Sequence, residues 1–191
     1  MDKVLIQLIP RVRIPYEAVL ADANASWQPN RELRPSCSYR TPLEQAKKWR
    51  QDRPFSEISL KIKILRKGGL GHLADIIESA GPQNGPRVTN ALPFQSPHQF
   101  WCGVDGTIYQ DGKPMWSPYF DDNDPMVIEA WKSYGTLVIK HGLAWGGSWK
   151  SPDRPHAQDK KFEKAKARLF SLASKRIITM EEVEYVLENT T

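Results

Sequence analysis

A chain of 191 residues with 40% hydrophobic and 26% charged side chains has the size and composition of one globular body with a true core and at most a small appendage. Its formal charge of +5 suits an anionic partner such as a cell-wall polymer or nucleic acid, but the basic residues are spread along the chain and ordinary solubility explains them as well. No apolar run approaches the ~20 residues that span a bilayer. The two cysteines, Cys37 and Cys102, are too few for a disulfide scaffold and lack C-x-x-C spacing, so a pair of buried thiols is the plain expectation and a bridge between them stays open.

In chain order, residues 14–26 predict a helix with Pro15 in its first turn. Residues 31–40 predict a strand leading to Arg40. TPLEQAKKWRQ, 41–51, predicts a helix capped by Thr41, with Pro42 at its start and Glu44 completing a capping box. EISLKIKIL, 57–65, alternates and predicts a strand or an extended arm. LGHLADIIESAG, 70–81, predicts a helix ended by Gly81, followed by the loop GPQNGP. Asp111-Gly112 signals a hairpin turn. DPMVIEAWKSYGTL, 124–137, predicts a helix capped by Asp124, and 161–174 and 180–188 predict two more, the last boxed by Thr179 and Glu182. The mix gives α+β: a small, largely antiparallel sheet flanked by helices.

Two stretches carry the chemistry. SPHQFWCGVD, 96–105, places His98 and Asp105 seven apart, and WGGSWKSPDRPH, 145–156, places Asp153 and His156 three apart. Two histidines, a carboxylate and a spare carboxylate are the inventory of a catalytic zinc site with an open position for water and a base beside it. Seven positions span roughly 10 Å on a helix. On one straight strand the odd offset puts the two side chains on opposite faces. A bend or bulge must therefore lie between His98 and Asp105, and Pro97 and Gly103 permit one. Pro152 and Pro155 exclude a regular helix around Asp153 and His156 and leave a turn. Such pair spacings alone are weak, and surface residues that never meet are the commoner explanation. Gly69, Gly71 and Ala74 form G-x-G-x-x-A, but no second strand ending in an acid follows, which argues against a dinucleotide loop. His72 and His141 read as structural.

The flanks of these stretches sharpen the reading. VTNALPFQSPHQFWCGVD, 88–105, resembles the first metal motif of the D-alanyl-D-alanine carboxypeptidase and L-alanyl-D-glutamate endopeptidase family. GLAWGGSWKSPDRPHAQ, 142–158, resembles its second, and SCSYRTPLEQ, 36–45, an upstream element, all in the family's order. The WGG-W stretch is most similar to the endolysin-like branch; the vancomycin-resistance dipeptidases and the hedgehog signalling domain are wider relatives. The resemblance implies a hedgehog/D-Ala-D-Ala peptidase-like fold, with a catalytic domain over 1–158 and a helical C-terminal extension, 159–191, packed on it. It implies Zn2+ held by His98, Asp105 and His156, with Asp153 as general base and Arg40 holding the scissile carbonyl oxygen. Ser96 would be a nearby hydrogen-bonder, and Trp101, a departure from the family pattern, would re-shape the substrate groove; Trp145 and Trp149, read from the sequence alone, suit a groove wall or the core equally.

The activity so implied is zinc-dependent hydrolysis of peptidoglycan stem peptides, with L-alanyl-D-glutamate endopeptidase leading. A D-Ala-D-Ala carboxypeptidase and a non-catalytic zinc-bearing binding module are the alternatives. The expected partner is peptidoglycan rather than nucleic acid. The N-terminal MDKVLIQLIPRVRIPYEAV lacks the features of a signal peptide. The chain is thus expected to be made in the cytoplasm and to reach the cell wall by release or secretion, with a holin, secretion machinery or an immunity protein serving delivery or control. The family often has Gly where Phe94 and Trp101 stand, and Ala where Gly103 stands. The ligands are intact, so these departures bear on substrate preference.

Overall fold

The computed structural model describes residues 2–116 and 118–191. In chain order they form α1 (Pro10–Ser26), β1 (Arg31–Cys37), α2 (Pro42–Arg50), α3 (Phe55–Lys67), α4 (Gly71–Ser79), β2 (Gly103–Gln110), β3 (Lys113–Pro114), α5 (Pro125–Lys140), β4 (Ala144–Trp145), β5 (His156–Gln158), α6 (Phe162–Ala173) and α7 (Met180–Glu188). The class is α+β, as the pattern of elements predicts. The chain divides into two compact units: Met1–Tyr39 with Trp101–Phe162, and Arg40–Phe100 with Glu163–Thr191. No helix among the described residues is long and apolar enough to cross a membrane.

The first unit holds the whole sheet. Its strand order is β1-β2-β5-β4, with β3 on the far half of β2, and every pair is antiparallel. Leu33, Val104 and Ile108 point from the sheet into a core completed by Val12, Tyr16, Val19 and Ala23 of α1 and Val127, Ala130, Tyr134 and Val138 of α5. The outer edge of β1 is closed by Asn24, whose side-chain amide accepts from the Leu33 N–H at 2.8 Å and donates to its carbonyl at 3.2 Å. The hairpin falls where Asp111-Gly112 predicts it, with both residues in the left-handed region. Helix α1 starts at Pro10, so Pro15 lies inside it rather than in its first turn. The stripe Val12, Tyr16, Val19 and Ala23 is fully buried at helical spacing, and that burial outweighs the ~3 kcal/mol an interior proline costs. Strand β1 stops at Cys37, short of Arg40.

The second unit is helical. Both predicted capping boxes form, Thr41 with Glu44 on α2 and Thr179 with Glu182 on α7. Residues 57–65, predicted as a strand or an extended arm, are part of helix α3. Ile58, Ile62 and Leu65 are buried at i, i+4 and i+7, while Leu60 and Ile64 are more than half exposed. The alternating run therefore contains a helical stripe, and only that stripe packs.

Candidate metal centre

Residues that face each other directly across neighbouring strands lie on the same face of a sheet. Asp105 on β2 faces His156 on β5, and on its other side it faces Cys37 on β1. The three form one row. Cys37 reaches the row through a bulge. Pairing runs in step from Arg31 opposite Gln110 to Pro35 opposite Gly106, then slips by one residue at Ser36, whose hydroxyl donates to the Asp105 carbonyl at 3.1 Å. Without the slip, Ser36 would face Asp105 and Cys37 would turn to the opposite face. Both cysteines are thiols, Cys37 half-buried and Cys102 buried.

His156 is 3% exposed. Its Nδ1 lies 2.9 Å from Oδ1 of Asp105, and its Nε2 lies 3.0 Å from Oε1 of Gln158. The Asp105 carboxylate and the Gln158 amide thus hold the two ring nitrogens of His156 between them. A histidine held at one nitrogen and presented beside a carboxylate at the other is an arrangement that divalent metal sites use. The pair fits Zn2+. The Trp149 ring, 38% exposed, leans on the imidazole with centroids 5.3 Å apart.

Asp153 sits in a tight turn ahead of β5. Its N–H donates to the Gly146 carbonyl at 3.0 Å, and its own carbonyl accepts from the His156 N–H at 3.2 Å. That closes the turn expected between Pro152 and Pro155. Gly146 is required there, because a Cβ would run into Asp153 and the His156 side chain. The Pro155 carbonyl accepts from the Gly106 N–H at 2.9 Å and from the Tyr134 hydroxyl at 3.1 Å, which pins the turn to β2 and α5. Tyr134 and Tyr16 are fully buried with hydroxyls 3.4 Å apart. Burial, reinforced by the charge of Asp105, holds both phenols protonated well above their ordinary range. The Asp153 side chain is exposed and lines a cleft of about 440 Å³ with Trp116, Asp122, Trp131, Pro152, Arg154 and Pro155. Trp145 packs its ring over Gly135 and Gly147 and donates its indole N–H to the Arg154 carbonyl at 2.8 Å.

Arg40, Ser96 and His98 belong to the second unit. His98 is buried on the 3-10 turn Pro97–Phe100, and the carbonyl of buried Ser96 accepts from the Gln99 N–H at 3.1 Å. The Arg40 N–H donates to the His98 carbonyl at 3.1 Å, so these two are joined through the backbone. The Arg40 guanidinium donates to Gln45 Oε1 at 2.9 Å, and the buried Gln45 amide donates onward to the Ala91 carbonyl at 2.8 Å. The bend expected between His98 and Asp105 falls at Trp101, whose φ is 54°, rather than at Gly103, which is already in β2. Trp101 stacks on Tyr39 with centroids 5.2 Å apart.

Sequence reasoning gave no role to Gln158 or Gln45. Gln158 follows His156 by two residues on one strand face, a signal that needs β5 to be recognised. Gln45 is the closing residue of SCSYRTPLEQ, so its signal was already within the motif.

No curated protein matches the chain significantly. Among solved structures, it is similar to a variant of the vancomycin-resistance D,D-pentapeptidase VanY from a VanB-type cassette in complex with Zn(II), at 14% identity over 93% of this chain and 83% of that one, with a TM-score of 0.43. Residues 89–159, which carry Ser96, His98, Asp105, Asp153 and His156, match the family described as D-alanyl-D-alanine carboxypeptidase.

Proposed function

We propose that the chain is a zinc-dependent peptidase that hydrolyses peptidoglycan stem peptides, cutting after L-alanine as an L-alanyl-D-glutamate endopeptidase. The observation that carries the metal is the His156–Asp105 pair, ring nitrogen and carboxylate oxygen 2.9 Å apart, with the far ring nitrogen 3.0 Å from Gln158. His98 completes the ligand set, an assignment supported by the resemblance of its motif and by the family match over 89–159. Zinc, when bound, polarises the scissile carbonyl and acidifies a water at neutral pH.

The chain's own side chains do the rest. Asp153, exposed and fixed by its turn, takes the proton of the attacking water and returns it to the leaving amine. Arg40, oriented by Gln45, holds the carbonyl oxygen as negative charge grows on it. Trp149 offers an exposed ring at the groove, with Trp101, Trp145 and Ser96 as further contributors to its walls. The residues proposed for catalysis all fall within 1–158, and 159–191 form the helical extension. The enzyme acts on the cell wall after release or secretion, with a holin, secretion machinery or an immunity protein as companion. A second reading, D-Ala-D-Ala carboxypeptidase, is favoured by the description of the matching family and uses the same groups.

The test is a digest of defined muropeptides by zinc-loaded protein beside Asp153→Ala, read by mass spectrometry. Release of the peptide from L-alanine is expected, with turnover in the variant lower by about 10²–10⁴-fold while zinc stays bound. Loss of only a terminal D-alanine would move the assignment to the carboxypeptidase. Intact muropeptides despite stoichiometric zinc would sink both.

A further inference from the structure

We infer that Cys37 is a further ligand of the metal centre, binding through its sulfur on the side of Asp105 away from His156. This rests on the reading of Asp105 and His156 as metal ligands. Three observations support it. Cys37, Asp105 and His156 are consecutive members of one row across β1, β2 and β5. The Cys37 sulfur lies within 4.8 Å of an Asp105 carboxylate oxygen. A zinc ion bonded to both, at about 2.3 Å to sulfur and about 2.0–2.2 Å to oxygen, sets the two donors roughly 3.5 Å apart, inside that reach. Finally, the only slip in the β1–β2 ladder stands at Ser36, and its effect is to bring Cys37 rather than Ser36 opposite Asp105.

Cys102 is no substitute. It precedes Gly103 on β2, so strand alternation turns it away from the Asp105 face, and it is fully buried. Binding would replace the S–H bond by a sulfur–metal bond, with the proton released to solvent. Catalytic zinc sites keep a position open and closed four-ligand sites do not. Cys37 would therefore compete with water for that position.

The measurement is the absorption spectrum of the full chain, stripped of metal and loaded with one equivalent of Co(II). Wild type and Cys102→Ser should show a near-ultraviolet thiolate-to-cobalt charge-transfer band beside the visible cobalt bands. Cys37→Ser should keep the visible bands, lose the charge-transfer band and bind cobalt about 10-fold or more weakly. Wild-type protein with visible bands but no thiolate band overturns the inference and leaves Asp105 and His156 as ligands. No cobalt uptake at all overturns both. Iodoacetamide labelling of the unaltered chain gives a test that needs no variant: zinc should protect Cys37, and equal labelling with and without zinc would refute its ligation.

Discussion

Phe94 and Trp101 carry bulky side chains on a left-handed backbone, with φ of 64° and 54°. These are two of the positions where the family resembled often has glycine, which adopts that conformation without a Cβ penalty. An L-residue there costs about 1–2 kcal/mol. At Trp101 the ring's stack on Tyr39 offsets this by about 0.5–1.5 kcal/mol. Two variants separate the contributions. Trp101→Ala loses the stack and keeps the strain, whereas Trp101→Gly loses the stack and relieves it. Urea unfolding should find the glycine variant more stable than the alanine variant by about 1 kcal/mol. Equal stabilities would mean that the backbone at Trp101 is not strained. Candidate ligand types can be picked out one residue at a time because the chemistry of zinc names them. What was not legible was their support: Gln158 behind His156 and Gln45 behind Arg40 act through contacts that only the folded strand and helix create.

Local signals were the best guide to the elements. Both capping boxes, the Asp124 cap, the Asp111-Gly112 turn and the stop at Gly81 involve residues a few positions apart, so the sequence contains the whole interaction. The strand or extended arm predicted over 57–65 is a helix because its periodicity is ambiguous and tertiary burial chose among the apolar residues. The bulge at Ser36 leaves no mark in composition, since it is defined only against the partner strand. The α7 cap makes a pH prediction. Arg176, 2.6 Å and 2.9 Å from the Glu182 carboxylate, and the Thr179 N–H hold its pKa at about 2, below the ordinary 4.5. The unfolded chain thus binds this proton more readily than the folded one. The contribution to stability is complete above about pH 5 and is lost as pH falls from 4.5 toward 2. In Glu182→Gln that component disappears, so the gap in Tm between wild type and variant should hold from pH 6 to about pH 5 and narrow as pH falls from there to 2.5. A gap independent of pH would show that the ion pair does not form in solution.

Over the whole molecule, the metal is expected to act as a fold-stabilising ligand as well as a reagent. Asp105 and His156 come from two strands that meet only when the sheet has formed, and the unfolded chain holds them 51 residues apart. Zinc therefore binds the native state in preference to the unfolded one, and the free energy of binding adds to stability. At a free metal concentration 100 times Kd the gain is about 2.7 kcal/mol. For a chain of this size that raises Tm by roughly 5–10 °C. A chelator should remove both the activity and that increment, and added zinc should restore them together. Asp105→Ala removes one member of the central pair, so its Tm should respond to zinc and chelator far less than that of the wild type, whatever its own baseline. If wild type and Asp105→Ala shift equally, the metal binds elsewhere, and the pairing of Asp105 with His156 is held by a proton instead.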